Sequence, residues 1–220
     1  MSVSAVILAA GLGERIGGEV NKVLLTLRGD PLLLHSVRPF ALHPRISELV
    51  VVVRDGEAKS ITEALASLGR PIHLVHGGPA RRDSALHGVR AASGTYVLIH
   101  DGARPLVGAD VIERVIDATV RYGAAIPVVP SADTLHVRDA GDSIERTLDR
   151  TRIVRAQTPQ GFERSLILEA LEQASQDVTD DAEAVMASGH PVQCVAGDAR
   201  NIKITRPEDL SMAAAIASHD

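Results

Sequence analysis

The chain has 220 residues, of which 45% are hydrophobic and 23% charged, and its formal net charge is -5. This is ordinary globular composition, and we expect one domain over residues 1–220 with a substantial core. A negative chain with only two Tyr and two Phe residues is unsuited to nonspecific nucleic-acid binding, which needs clustered positive charge and stacking surfaces.

The only cysteine, Cys194, cannot form an intramolecular disulfide. Since the sequence also lacks a Cys/His cluster with zinc spacing, we expect a reducing cytoplasmic setting and a small, buried hydrophobic side chain at Cys194. The apolar start, residues 3–10, has no basic region before it and is too short for a signal or membrane helix. We therefore expect no targeting segment and no membrane partner.

Short β-branched runs alternate with longer amphipathic segments along the chain. Strands are predicted, in order, at "SAVILAA", "ELVVVVR", "PIHLVHG", "TYVLIHD" and "AAIPVVP". Helices are predicted at "PLLLHSVRPFAL", "EAKSITEALASLG", "ARRDSALHGVRAAS" and "ADVIERVIDATVRYG". The apolar face of the last helix is predicted to contain Val111, Ile112, Val115, Ile116 and Val120. This alternation predicts an α/β fold with a mainly parallel sheet and right-handed crossovers.

The alternation stops after Pro130. Residues 131–157 show patches of period 2 around the turn "RDAGDS", which predicts a hairpin too polar to be core. An exposed hairpin leaves its edges unprotected, so it is a candidate dimerisation arm, with a flexible surface insertion as the alternative. Helices follow near residues 165–175 and 180–188, then a strand at "HPVQCVA", the segment "NIKIT" and a closing helix from Pro207.

Ligands of an open parallel sheet bind beyond the carboxyl ends of its strands. The first such segment is "LAAGLGERIGGEVNK". Gly11 and Gly13 begin the dinucleotide fingerprint, but Ile16 stands where its third glycine belongs, and Lys22 lacks the context of a Walker A lysine. What remains is a Gly-rich loop with two cations, Arg15 and Lys22, which can wrap a triphosphate; a solvated turn is the alternative.

The second segment is "IHDGARP". Asp101 stands at a strand end beside Gly102, where a carboxylate can hold a divalent cation such as Mg²⁺ together with substrate phosphates, and Arg104 follows three residues later. The alternative is that Asp101 orders a turn or caps the helix near Asp110, which is nine residues away.

The third segment is "HGGPARRDSALHG". Gly77 and Gly78 allow the backbone to pass close to a ligand, and Arg81, Asp83 and Ser84 open a helix whose N-terminus favours anions. A capping role for Asp83 or Ser84 is an equal alternative.

Six blocks, in this order and spacing, resemble a known family. "VILAAGLGERIG...NKVLL", "GGPARRDSALHG", "HDGARP", "RTLDRTRIVRAQTPQGF", "TDDAEAV" and "NIKITRPEDL" are similar to the 2-C-methyl-D-erythritol 4-phosphate cytidylyltransferases of the non-mevalonate isoprenoid pathway. The resemblance implies a Rossmann-like nucleotidyltransferase fold, with a twisted, mainly parallel sheet, helices on both faces and a protruding β-arm at about 131–157 that locks a homodimer.

The resemblance also implies roles for individual residues. Arg15 and Lys22 would contact the CTP triphosphate and the charged transition state, and Asp101 would hold Mg²⁺ or another divalent cation. The nucleotide site would further include Ala9, Ala10, Gly11, Gly13, Gly78, Ser84 and Arg104. The sugar phosphate would contact Thr134, Arg150, Thr158, Thr179 and Lys203, of which Arg150 and Lys203 would also be catalytic.

The implied reaction is attack by the methylerythritol phosphate oxygen on the α-phosphorus of CTP, which releases pyrophosphate. Because this phosphate is already ionised near pH 7, cations rather than a general base are needed, and we interpret His100 as a buried structural histidine. Three alternatives remain: a ribitol 5-phosphate cytidylyltransferase, a guanylyl- or uridylyltransferase, and an inactive nucleotide sensor. The family often has aspartate before the "NIK" triplet, where this chain has Arg200, with Asp198 two residues earlier.

Overall fold

The computed structural model describes residues 1–11, 21–174 and 178–218. Its strands are β1 (Val3–Leu8), β2 (Thr26–Leu27), β3 (Asp30–Pro31), β4 (Ile46–Val53), β5 (His73–His76), β6 (Tyr96–Asp101), β7 (Ala124–Pro130), β8 (His136–Arg138), β9 (Ile144–Thr147), β10 (Val154–Ala156), β11 (Gln160–Glu163) and β12 (Gln193–Ala196). Its α-helices are α1 (Leu32–Leu42), α2 (Ala58–Leu65), α3 (Arg81–Ala91), α4 (Ala109–Tyr122), α5 (Arg164–Gln173), α6 (Asp181–Ala187) and α7 (Pro207–Ala217). Short 3-10 helices lie at Lys22–Leu24, Ala66–Leu68 and Arg150–Arg152.

The main sheet is parallel in its first half and mixed in its second. Strands β5, β4, β1 and β6 pair in parallel in that order. Strand β11 runs antiparallel to β6 and β7, β10 runs antiparallel to the later part of β7, and β12 is parallel to β7. The predicted α/β fold is confirmed, and the parallel half brings the carboxyl ends of β1, β4, β5 and β6 to one edge.

The core lies on both faces of this sheet. Because successive side chains of a strand point to opposite faces, β1 contributes Ala5 and Ile7 to one cluster and Val6 to the other. The first cluster includes residues of α1, α2 and α4, and the second includes residues of α3, α5 and α6. Burial on both faces explains the continuous apolar character of these strands.

The predicted helices are present, but one residue predicted to lie on the apolar face of α4 is exposed. In α4, Val111, Ile112, Val115 and Ile116 are buried, but Val120 is 37% exposed. The prediction for Val120 was wrong: in this last turn the neighbouring Thr119 is the buried residue, and its hydroxyl donates to the Val115 carbonyl oxygen at 2.7 Å. The longest helix of the described ranges has 14 residues, and none of the helices in those ranges combines the length and apolar character needed to cross a membrane.

Cys194 is exposed, contrary to the prediction of a buried side chain. It lies in β12, which pairs with β7. Its neighbour Val195 packs against the core cluster that includes α4. Alternation turns Cys194 to the opposite face, where it remains exposed.

The hairpin predicted within residues 131–157 is confirmed. Strands β8 and β9 pair antiparallel from His136 to Thr147 and form a small sheet of their own. All residues of β9 are exposed, and Ile144 is 66% exposed. In the turn, the Asp139 carboxylate accepts the backbone N–H groups of Gly141 and Ser143, at 2.8 and 2.9 Å.

Candidate active site

A cavity of about 440 Å³ opens at the carboxyl edge of the parallel strands. Leu8 ends β1, Asp101 ends β6, Arg54 follows β4 and Gly78 follows β5, so four strands deliver residues to one place. The complete lining is Leu8, Ala10, Gly11, Lys22, Val23, Arg54, Gly78, Pro79, Ala80, Arg81, Ser84, Asp101, Ala103 and Lys203. The rule that ligands bind at strand carboxyl ends therefore predicted where this cavity lies.

The lining carries a strong excess of positive charge. It includes Lys22, Arg54, Arg81 and Lys203, whereas Asp101 is the one acidic side chain among the described residues that form it. The sequence contains three lysines, and two of them are here. A cavity with several cations and small, glycine-rich walls suits a polyphosphate, which needs both charge neutralisation and close backbone approach.

Asp101 is the electrostatic centre of the cavity. Its Oδ2 lies 2.8 Å from Lys203 Nζ and 3.7 Å from Arg104 Nε, and its Oδ1 lies 3.6 Å from Arg81 Nη2. Burial raises the pKa of Asp101, but the positive charges of Arg81, Lys203 and Arg104 outweigh burial and hold this pKa well below its ordinary value. The carboxylate is therefore ionised. Since α4 begins at Ala109 with Gly108 as its N-cap, the alternative that Asp101 caps this helix is wrong, whereas the Asp101 carbonyl does accept the Arg104 N–H in a turn.

Arg81 joins Asp101 to a second, buried carboxylate. Its Nη1 and Nη2 donate to the two oxygens of Asp181, at 2.9 and 2.8 Å, in the two-pronged geometry of a strong arginine–carboxylate pair. Asp181 is 1% exposed. Burial lowers the pKa of Arg81, but Asp181 and Asp101 together raise it above its ordinary value, so this side chain stays charged.

His100 lies beneath the cavity and is not a general base. Its Nε2 donates to the Arg104 carbonyl oxygen at 3.2 Å, and its Nδ1 accepts from the Thr158 hydroxyl at 2.9 Å, which requires the neutral ring with hydrogen on Nε2. Burial lowers the pKa of His100 to about 4. The interpretation of His100 as a buried structural histidine is confirmed.

Hydrogen bonds hold the segment that carries Lys203 against the residues around the end of β6. Asn201 is buried and donates from Nδ2 to the Thr158 carbonyl oxygen at 2.8 Å, while its own carbonyl accepts from Arg104 Nη1 at 2.8 Å. The backbone N–H of Ile204 donates to the Ala103 carbonyl oxygen at 2.8 Å. These contacts hold residues 201–204 against the end of β6, and so they place the Lys203 ammonium on Asp101.

The turn before α3 requires its glycine. A Cβ atom on Gly78 would lie 2.3 Å from Asp83 Cβ, so no larger residue fits without movement. The Gly78 N–H donates to Ser84 Oγ at 3.1 Å, and the Ala80 N–H donates to the Asp83 carboxylate at 3.2 Å. Asp83 therefore has the capping role weighed for it, while Ser84 faces the cavity with its hydroxyl tied to Gly78.

The predicted site residues fall into four groups. Those that line the cavity are Ala10, Gly11, Lys22, Gly78, Ser84, Asp101 and Lys203. Those next to it are Ala9 and Thr158, which are buried, and Arg104, which is partly buried. Those exposed and outside its lining are Thr134, Arg150 and Thr179. Gly13 and Arg15 lie outside the described residues, so their assigned roles stay predictions.

Two of the outlying residues have local partners. Arg150 Nη1 donates to the Ala132 carbonyl oxygen at 3.1 Å, at the base of the hairpin. Thr179 donates from both its backbone N–H and its hydroxyl to the Glu183 carboxylate, at 2.7 Å each, ahead of α6. Thr158, which directly follows the predicted arm in the chain, accepts the backbone N–H of Asp101 at its hydroxyl oxygen, at 3.1 Å.

The sequence analysis missed several residues of the site. Arg54 directly follows β4, so the strand-end rule applied to the other segments also selects it. Arg81 was noted only as part of a helix start, and nothing local in the sequence pairs it with Asp181, 100 residues away. Asn21 is buried beside Lys22, and its neighbours in the sequence carry no signal of that burial.

The fold and the site define a nucleotidyltransferase, in which a cation-lined cavity at the edge of a parallel sheet surrounds one ionised carboxylate. The sequence matches the family model of IspD, 2-C-methyl-D-erythritol 4-phosphate cytidylyltransferase, over residues 3–219. A relative of that description from Geobacillus kaustophilus is 41% identical, and the alignment covers 98% of this chain and 97% of the relative. The chain belongs to the 2-C-methyl-D-erythritol 4-phosphate cytidylyltransferase family.

Solved structures agree. A crystal structure of 2-C-methyl-D-erythritol 4-phosphate cytidylyltransferase from Thermus thermophilus is 34% identical, with a TM-score of 0.80 and coverage of 97% of this chain and 98% of that one. A 4-diphosphocytidyl-2C-methyl-D-erythritol synthase from Anaerococcus prevotii has a TM-score of 0.88 at 28% identity, covering 99% and 96%. The chain transfers the cytidylyl group of CTP to 2-C-methyl-D-erythritol 4-phosphate in the non-mevalonate pathway.

Proposed function

We propose that the cavity around Asp101 performs this transfer by holding the CTP triphosphate against Lys22 and Lys203, with the acceptor phosphate brought to the same point. The observation that carries the proposal is the charge of the lining, four cations and one ionised carboxylate. Two polyanions must meet for the reaction, so most of the catalytic work is positioning and neutralisation of phosphate charge. Arg15, outside the described residues, is expected to add a further cation.

The Asp101 carboxylate fits a role as the protein ligand of a magnesium ion. Mg²⁺ is usually held by one or two carboxylates together with substrate phosphates and waters, and the Asp101 carboxylate stays ionised at a cavity suited to phosphates. Its Oδ1 lies 3.6 Å from Arg81 Nη2, too far for a hydrogen bond, and this is the oxygen that we assign to the metal. When bound, the ion would neutralise phosphate charge, and Asp101 would be its protein ligand.

The side chains of the cavity leave no task for a general base. The attacking phosphate oxygen of the acceptor is already ionised near pH 7, so no proton has to be removed from it. His100 is buried and neutral, and both its nitrogens are engaged. In this proposal Lys22 and Lys203 stabilise the charge that develops on the phosphoryl oxygens and on pyrophosphate.

The acceptor side of the site is proposed to be completed by a second copy of the chain. Thr134 and Arg150 are exposed at the base of the hairpin and do not line the cavity of their own chain. Their assigned contact with the acceptor is therefore better explained by the cavity of a second chain. The hairpin exposes Ile144, and β10, which follows the hairpin in the chain, exposes Val154 at 48%. Covering this surface with the same surface of a partner would form a homodimer and could deliver Arg150 to the partner's acceptor site.

Replacing Arg150 with alanine should raise the KM for methylerythritol phosphate far more than the KM for CTP, because Arg150 is assigned to the acceptor only. The measurement is steady-state kinetics with each substrate varied in turn. Arg138→Ala is the matched control, since Arg138 lies on the same hairpin and its guanidinium pairs with Asp142. Equal increases in both KM values would contradict the assignment.

Mixing inactive variants tests whether Arg150 acts across a dimer. In a hybrid of a Lys22→Ala chain with an Arg150→Ala chain, one of the two sites has both residues intact. A dissociated and reassociated equal mixture should therefore recover about a quarter of the wild-type activity at limiting acceptor. No recovery would show that Arg150 serves its own chain or none.

The reaction itself is tested by pyrophosphate release from CTP. We expect release with methylerythritol 4-phosphate and Mg²⁺, and little release with ribitol 5-phosphate or without a divalent cation. Faster release with ribitol 5-phosphate would contradict the assignment of methylerythritol phosphate as the acceptor. Undiminished release in the presence of a chelator would contradict the requirement for a divalent cation. The compartment proposed for this activity is the reducing cytoplasm, which suits a chain whose one cysteine is exposed.

A further inference from the structure

Asn21, the residue before Lys22, is buried and uses both ends of its side-chain amide. Its Nδ2 donates to the Ala9 carbonyl oxygen at 2.7 Å and to Glu57 Oε2 at 2.7 Å. Its Oδ1 accepts the backbone N–H of Val23 at 3.2 Å. Asn21 is 1% exposed, so each of these bonds replaces a water contact that the fold has removed, and the loss of any one leaves a buried polar group unpaired.

These bonds join the two ends of the Gly-rich loop. Ala9 directly follows β1, and Asn21 begins the 3-10 helix at Lys22–Leu24 as its N-cap. The Asn21 side chain therefore connects the end of β1 to the start of this short helix. The backbone at Lys22, the first residue of the short helix, is therefore held in place relative to the end of β1.

Glu57 supports Asn21 from a different part of the chain. It is the N-cap residue of α2, yet its side chain makes no capping bond to that helix. Its carboxylate accepts instead from Asn21 through Oε2 and from Arg54 through Oε1. Arg54 lines the cavity, so a single carboxylate is shared between the anchor of Lys22 and a second cation of the site.

We propose that Asn21 and Glu57 are positioning residues of this enzyme. Glu57 accepts a hydrogen bond from Asn21, which donates a second one to Ala9, and this clasp holds Lys22 where it can contact the CTP phosphates. The proposal rests on the proposed function of Lys22. Neither clasp residue lines the cavity. Asn21 acts through Lys22, and Glu57 acts through Asn21 while its other oxygen pairs with Arg54. Since a displacement of about 1 Å in a positioned group can cost about 10²-fold in rate, the clasp has a measurable kinetic role.

Three variants of the full chain separate positioning from general stability. Glu57→Ala removes the acceptor of Asn21, whereas Glu57→Gln keeps an oxygen that can accept from Asn21 Nδ2. Glu48→Ala is the matched control. The Glu48 carboxylate also accepts two bonds, from the Ser4 hydroxyl and the Ser93 N–H, but it lies in the first half of β4, toward the amino end that is opposite the cavity.

The expected result is a kcat lower by about 10²-fold in Glu57→Ala, with an unchanged KM for methylerythritol phosphate. Glu57→Gln and Glu48→Ala should both keep a kcat within about 3-fold of wild type. This holds for Glu48→Ala even if its Tm falls by as much as the Tm of Glu57→Ala. A kcat for Glu57→Ala near that of wild type would overturn the proposal. So would a Glu57→Gln enzyme as slow as Glu57→Ala, or a Glu48→Ala enzyme slowed equally.

A second measurement does not depend on turnover. Hydrogen exchange at the Val23 amide, whose hydrogen bonds to Asn21 Oδ1, should be faster in Glu57→Ala than in wild type and unchanged in Glu48→Ala. Unchanged exchange in Glu57→Ala would overturn the clasp. If the wild-type enzyme failed to transfer CMP, the proposed function would be contradicted. The exchange measurement would still show whether Asn21 and Glu57 form the clasp.

Discussion

Replacing Lys22 with alanine should lower kcat by about 10³-fold or more, because a cation that acts on a phosphoryl transition state contributes about 10³ to 10⁵ in rate. Lys22 lines the cavity, and its neighbours Asn21 and Val23 are held by buried hydrogen bonds. Removing the ammonium therefore removes charge without removing the local structure. Rapid-quench and steady-state assays of CMP transfer, with circular dichroism of the variant, provide the measurement.

The chain offers a matched control for Lys22. Lys59 is one of its two other lysines, and its side chain is 89% exposed on α2 with a 4.0 Å contact to Glu63. Lys59→Ala removes the same chemical group at the surface and should retain wild-type kcat, since exposed ion pairs contribute little. Near-normal turnover in Lys22→Ala would remove this lysine from the catalytic role.

Replacing Asp101 with asparagine should lower kcat by about 10²- to 10³-fold, similar to the loss of one charge-stabilising group in other enzymes. The amide has nearly the same shape as the carboxylate, but it lacks the charge that Mg²⁺ requires. Lys203, Arg81 and Arg104 then lose a shared counter-ion. In the absence of metal, CTP should bind this variant at least as tightly as wild type, because uncompensated cations attract the triphosphate.

The combination of lower kcat and retained metal-free CTP affinity distinguishes a metal ligand from a residue that only maintains the pocket. Isothermal titration with CTP in chelator, beside kinetics over a range of Mg²⁺ concentrations, provides both readouts. Asp110→Asn is the control, since Asp110 is exposed and pairs with Arg114 on α4. Weaker metal-free CTP binding in Asp101→Asn would contradict the metal role.

Much of the site could be predicted because its residues follow strands that the sequence itself identifies. The strands that end at Leu8 and Asp101 are buried on both faces, so their sequences are continuously apolar instead of alternating with polar residues. Such runs are easily identified as buried strands. Parallel strands bring their carboxyl ends together, so the segments that follow them must meet. Gly78 could be interpreted in the same local way, because a turn that admits no Cβ requires glycine.

Other features have no local signal. The Arg81–Asp181 pair spans 100 residues and forms because α3 and α6 pack on the same face of the sheet. Thr158 lies under Asp101 because β11 inserts between β6 and β7 and carries the residues before it there, and its contact with the acceptor stays a prediction. Cys194 was predicted to be buried, but only the side chains of β12 on the opposite face meet the core.

The sequence by itself determined the alternating strands and helices of the parallel half, the glycine-rich turns and two cavity cations, Lys22 and Lys203, because periodicity and backbone freedom are properties of neighbouring residues. Only the tertiary structure decided which charges share Asp101, which histidine stays neutral and what holds Lys22 in place. Those outcomes depend on burial and on distances of about 3 to 4 Å between distant residues, and electrostatic energy inside a protein changes steeply with both.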